Sequence, residues 1–143
     1  MTDSPGIRVL VIGGTGMLGH KVWQVCRERF DTWVTVRAHQ EYSGTGLFTG
    51  DRLIADVRVD DFDSVVRACA VARPAVVVNC VGIVKQLKAA GDPLPSLSVN
   101  ALFPHRTAAL ARALGARMIH ISTDCVFSGS PDTLKECVRG GTG

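Results

Sequence analysis

No apolar run in the sequence approaches the roughly 18 residues that a membrane-spanning helix requires. The start, MTDSPGIRVL, lacks a basic segment followed by an apolar stretch of signal-peptide length, so the cytoplasm is the expected compartment and no membrane partner is expected. Charge of one sign is equally scarce. The net charge is +3 and the sixteen basic residues are scattered, so no stripe of Lys and Arg marks a nucleic-acid face. The five cysteines (Cys26, Cys69, Cys80, Cys125, Cys137) are odd in number and form no C-x-x-C pair. Most fall in apolar runs, where a thiol behaves as a small hydrophobe, so neither a disulfide frame nor a metal site is expected. No internal repeat, low-complexity segment or linker precedes residue 128, and 143 residues that are 46% hydrophobic suit one core and one domain.

What is present is an alternation of short valine-rich runs with longer segments of helical periodicity. Ile7 to Ile12 reads as a buried strand, followed by a helix with Leu18, Val22, Val25 and Cys26 on one face before Phe30. Trp33 to Val36 is the expected second strand, and Leu53 to Val57 a short third one after a loop bearing Ser43, Gly44 and Gly46. Asp60 or Asp61 then caps a helix whose Phe62, Val65, Val66, Cys69 and Ala70 share a face and which Pro74 stops. Strands Ala75 to Val78 and Arg117 to Ile121 flank a further crossover, helical from Ser98 to Leu114, in which Pro104 starts or kinks the helix. The whole reads as α/β: a Rossmann-type doubly wound parallel sheet of about five strands, with ligands beyond the carboxyl ends of the strands.

VLVIGGTGMLG, positions 9 to 19, places four glycines where the first strand turns into the first helix. A helix N-terminus offers unpaired amide donors and a partial positive charge, and glycine lets a phosphate approach them. Gly14, Gly16 and Gly19 fit G-x-G-x-x-G, and Gly13, Gly16 and Gly19 fit G-x-x-G-x-x-G; spacing alone does not separate the two. No Asp or Glu occurs from Thr32 through Gln40, so an acid for a ribose hydroxyl is missing there, and Arg37 is placed to pair with a 2′-phosphate. That favours NADP(H) over NAD(H). Asp56-Val57, at the end of the third strand, could set a carboxylate near the adenine amine.

These residues resemble the extended short-chain dehydrogenase/reductase superfamily, and within it the dTDP-4-dehydrorhamnose reductase-like, sugar-nucleotide-reducing branch. Four blocks carry the resemblance over roughly residues 6 to 129: VIGGTGMLG, ADV (55 to 57), VVNCVGIVKQ and ISTDCVFSG (121 to 129). It implies a cofactor loop of Gly13, Gly14, Thr15, Gly16, Met17, Leu18 and Gly19. It also implies Asn79, Cys80, Val81 and Gly82 near the nicotinamide ribose, Asn100 as the family's helix asparagine, and Thr123 as the catalytic hydroxyl. Lys85, with Gln86 and Lys88 behind the fourth strand, could reach the diphosphate of a nucleotide sugar. Asp124, Cys125 and Phe127 lie on the substrate side, and His105 and Arg106 stand near Pro104. Rhamnose-pathway members carry an aromatic at the position of Cys125 and an acid near Ser128, and this departure leaves a related nucleotide-hexulose open as substrate.

The resemblance implies an NADP-preferring reductase of a nucleotide-linked 4-keto sugar. In such enzymes hydride passes from nicotinamide to a ketone while a tyrosine, acidified by a lysine, protonates the oxygen. The only tyrosine here is Tyr42, and no Tyr-x-x-x-Lys occurs. Residues 1–129 therefore read as the dinucleotide-binding domain and 130–143 as a divergent or truncated tail, with the C-terminal part of the family fold missing. A non-catalytic NAD(P)-binding module, or the cofactor half of a sugar-nucleotide epimerase or dehydratase, remain alternatives, and a homo-oligomer is left open.

Overall fold

The computed structural model describes residues 6–38, 48, 51–83 and 93–122. Its elements in chain order are β1 (Arg8–Ile12), α1 (Met17–Cys26), β2 (Asp31–Thr35), β3 (Leu53–Ile54), α2 (Phe62–Ala72), β4 (Val76–Asn79), α3 (Pro93–Leu97), a π-helical segment (Ser98–Leu102), α4 (Phe103–Ala113) and β5 (Arg117–His120). The five strands form one parallel sheet in the order β3-β2-β1-β4-β5, the expected doubly wound arrangement.

Alternation along β1 explains the layering. Val9 and Val11 point to one face, where they pack with Trp23, Val34 and Val78 under α1. Leu10 and Ile12 point to the other, into a core built with Val65, Ala68, Cys69, Ala72 and Val77 and closed by Phe103 and Ala111 of α4. A strand buried on both faces must be apolar throughout, and after Arg8 β1 is buried at every position.

The helix faces differ from those expected. On α1 it is Gly19 and Trp23 that are buried, while Leu18 and Val25 are 44% and 65% exposed. The reason is close packing: a Cβ at Gly19 would overlap the Gly13 carbonyl, so the helix approaches the sheet on its smallest residue. On α2 the inward residues are Ser64, Val65, Ala68, Cys69 and Ala72, whereas Val66 and Ala70 face out. Neither aspartate caps α2 with its side chain. Asp61 occupies the cap position without a side-chain bond and pairs with Arg67, and Asp60 pairs with Arg58. The buried Ser64 hydroxyl instead reaches the Asp61 carbonyl.

Strand ends also shift. β3 stops at Ile54 instead of Val57 because Asp56 adopts a left-handed φ of 59°, which no strand accommodates. β4 continues to Asn79, paired with Ile12, and β5 ends at His120. The last crossover is helical from Pro93 onward, and Pro104 sits at the start of α4, immediately after the π-helical segment.

Candidate functional site

The carboxyl ends of β1 and β4 frame a cleft of about 1270 Å³, lined by Gly13, Thr15 and Gly16 on one side and Cys80, Val81, Gly82 and Ile83 on the other. The four glycines do different things there. Gly13 has a φ of 88°, and a Cβ on it would come within 2.8 Å of the Val81 side chain. Gly14 is buried against β2, its amide donating to the Thr35 carbonyl at 2.9 Å, and a side chain there would strike Val34. Gly19 seats α1 on the loop. Gly16 differs: it is exposed, faces the cleft, and a Cβ on it would find nothing nearer than the Gly13 carbonyl at 3.4 Å. The two glycine spacings are thus both occupied, with Gly13, Gly14 and Gly19 packing the loop and Gly16 keeping its mouth open.

That mouth is the N-terminus of α1. Gly16 is its cap residue with no side-chain hydrogen bond, and no acid stands in the first turn. By helix geometry the amides of Met17, Leu18 and Gly19 have no carbonyl one turn back, so their donors are left for an anion. The Met17 side chain is 91% exposed beside them. Thr35, which the sequence reading missed, holds the loop from below: its Oγ1 accepts from the Gly13 amide at 3.3 Å. Within a β-branched run, nothing marks it as different from its neighbours.

One end of the cleft is built by the residues that follow β2 and β3. Arg37 is exposed at the cleft and, among the described residues, has no acidic partner. Val57 is buried, lines the cleft and donates its amide to the Val36 carbonyl at 3.1 Å. Asp56 is exposed at the left-handed turn and is not among the lining residues; Arg58 and Asp60 are. Arg106 closes this end from α4, its guanidinium 4.0 Å from the centre of the Phe62 ring.

On the β4 side two asparagines hold the backbone in shape. Asn79 is fully buried, so it supports the cleft from behind and does not line it. Its Oδ1 accepts from the Val81 amide at 3.0 Å, which orients the amide group so that Nδ2 donates to Nδ1 of His120 at 3.2 Å. Asn100, in the π-helical segment, accepts from the Ile83 amide at 2.8 Å and donates to the Ile83 carbonyl at 3.0 Å. A π-helical turn is a frequent feature of functional sites, and here it presents the side chain that ties the loop after β4 to the helix. Burial pushes the Cys80 thiol up to about 11, with Cys26 a lesser contributor, so it is neutral and unreactive at ordinary pH. Lys85, Thr123, Asp124, Cys125 and Phe127 lie outside the described residues.

Three comparisons bear on this site. The RmlD substrate binding domain profile matches residues 7–137. A dTDP-4-dehydrorhamnose reductase of Streptomyces griseus is 33% identical over 130 residues, covering 91% of this chain and 38% of the relative. Methionine adenosyltransferase 2 subunit beta of Mus musculus is 29% identical over 126 residues, covering 88% and 35%. Among solved structures, the dTDP-4-dehydrorhamnose reductase of Bacillus anthracis in complex with NADP superposes with a TM-score of 0.68 at 20% identity, over 90% of this chain and 40% of that one. The chain spans well under half the length of each. Among the described residues no helix is long and apolar enough to cross a membrane.

Proposed function

The chain belongs to the RmlD substrate binding domain family, and from that premise we propose that it is the NADP-preferring, dinucleotide-binding part of a reductase acting on a nucleotide-linked 4-keto sugar. The observation that carries the proposal is the open N-terminus of α1, where Gly16 leaves the first-turn amides accessible with no side chain capping them. Those amides would hold the pyrophosphate, Arg37 a 2′-phosphate, and Val57 the adenine edge. Val81 and Gly82, set by Asn79 and Asn100, would line the nicotinamide half. When bound, the nicotinamide supplies a hydride to a ketone. Thr123 is proposed to hydrogen-bond the ketone oxygen, with Lys85, Asp124, Cys125 and Phe127 toward the sugar nucleotide.

The reaction also needs a proton donor, and the sequence offers no Tyr-x-x-x-Lys. Cofactor binding is therefore the function proposed for these 143 residues themselves. Titrating the chain with NADPH and following its fluorescence tests this: saturable binding is expected, and a folded chain that leaves the fluorescence unchanged would refute it.

A further inference from the structure

We propose that Arg58 is a second arm of the adenosine-phosphate end of the cleft, gripping a ribose 2′-phosphate together with Arg37, and that Asp60 is a resident anion which this phosphate displaces. The inference rests on the dinucleotide reading above and deepens it. The backbone brings both arginines to the same cleft. The Val57 amide donates to the Val36 carbonyl, which ties the chain after β3 to the chain after β2, and the residues that follow, Arg37 and Arg58, both line the cleft.

Arg58 is fixed at its main chain and adjustable at its tip. Its amide donates to Oγ of the buried Ser64 at 2.9 Å, and that hydroxyl in turn donates to the Asp61 carbonyl. Its guanidinium is exposed and already grips an oxyanion: Nε lies 3.0 Å from Oδ1 of Asp60 and Nη2 lies 2.6 Å from Oδ2. That two-toothed grip is the geometry a phosphate group also uses. The hydrogen bond from Arg58 holds the Asp60 carboxyl below the usual carboxylate range, so the competitor stays ionised at neutral pH.

Charge at the rim favours the exchange. Among the described lining residues three are basic (Arg37, Arg58 and Arg106) and one, Asp60, is acidic. Arg106 is engaged on the Phe62 ring and has no acidic partner among the described residues. A ribose hydroxyl is uncharged and leaves the Arg58–Asp60 pair intact. A phosphate carrying close to two negative charges outcompetes a single carboxylate for the same fork.

Calorimetric Kd values of the 143-residue chain for NADP+ and NAD+ test this, with R58Q and D60N as variants and circular dichroism to confirm their fold. R58Q is expected to weaken NADP+ about tenfold while NAD+ moves less than about twofold. D60N is expected to tighten NADP+ several-fold with NAD+ unchanged. If the wild type binds both dinucleotides and R58Q leaves their ratio as it was, Arg58 is not a phosphate arm. If R58Q shifts the ratio and D60N does not tighten NADP+, the displacement by phosphate is wrong. A folded wild type that binds neither dinucleotide overturns the dinucleotide reading itself, and this inference with it.

Discussion

Gly16 and Gly19, three positions apart, separate ligand access from packing. Gly16 has ordinary extended backbone angles and open space around it, so Gly16→Val is expected to fold as the wild type does while weakening NADP(H) about tenfold or more, read by titration. At Gly19 a side chain would overlap the Gly13 carbonyl, and Gly19→Val is expected to cost about 3 kcal/mol, read by urea unfolding. Spacing made all four glycines visible in the sequence and could not say which one keeps the cleft open, because that depends on what stands opposite each one. Asn79 was legible as a site residue but not as a buried one. Its carboxamide is spent on Val81 and His120, so Asn79→Ala would strand two polar partners and is expected to cost about 1–3 kcal/mol by thermal or urea unfolding. Thr35 and Ser64 were not legible at all, since each acts through one hydroxyl aimed at a distant backbone group.

The strands and helices followed from hydrophobic patterning, and the errors fell where a small or polar residue does the packing. Hydrophobicity points α1 inward on Leu18 and Val25, whereas the close approach permitted by Gly19 turns Trp23 to the sheet. Asp56 ended β3 early through its backbone angle, and a polar Asn79 extended β4 because its side chain is fully satisfied. The π-helical segment left no mark in composition. Its Asn100 is the tie between that helix and the loop after β4, so Asn100→Leu is expected to speed hydrogen exchange at the Ile83 amide and weaken NADP(H) with little change in global stability. Phe103, by contrast, is a core anchor packed edge-on against Phe62, and Phe103→Ala should cost about 3–5 kcal/mol in urea unfolding.

The molecule is organised as two cores on either face of one sheet, with a cleft at the end where both faces meet. Burial raises Cys69 and Cys80 to about 11 from an ordinary value of 9.0. The unfolded chain then loses these protons first as pH rises, so stability is expected to fall between about pH 9 and pH 11, and Cys69→Ala should flatten that fall. Fold class and the glycine loop were legible because they are local patterns repeated in a regular order, whereas the strand order comes from the structure. At the end of the cleft that follows β2 and β3, Arg37 and Val57 were legible as lining residues, Asp56 stands outside the lining, and Arg58 and Asp60 come into place through a turn that the sequence does not announce. The most direct test is an amide chemical-shift map of the isotope-labelled chain titrated with NADP+. The changes should concentrate at residues 13–19, 37, 57–58 and 81–83, and a map with no changes there, or changes centred on another face, would contradict the assignment of this cleft to a dinucleotide.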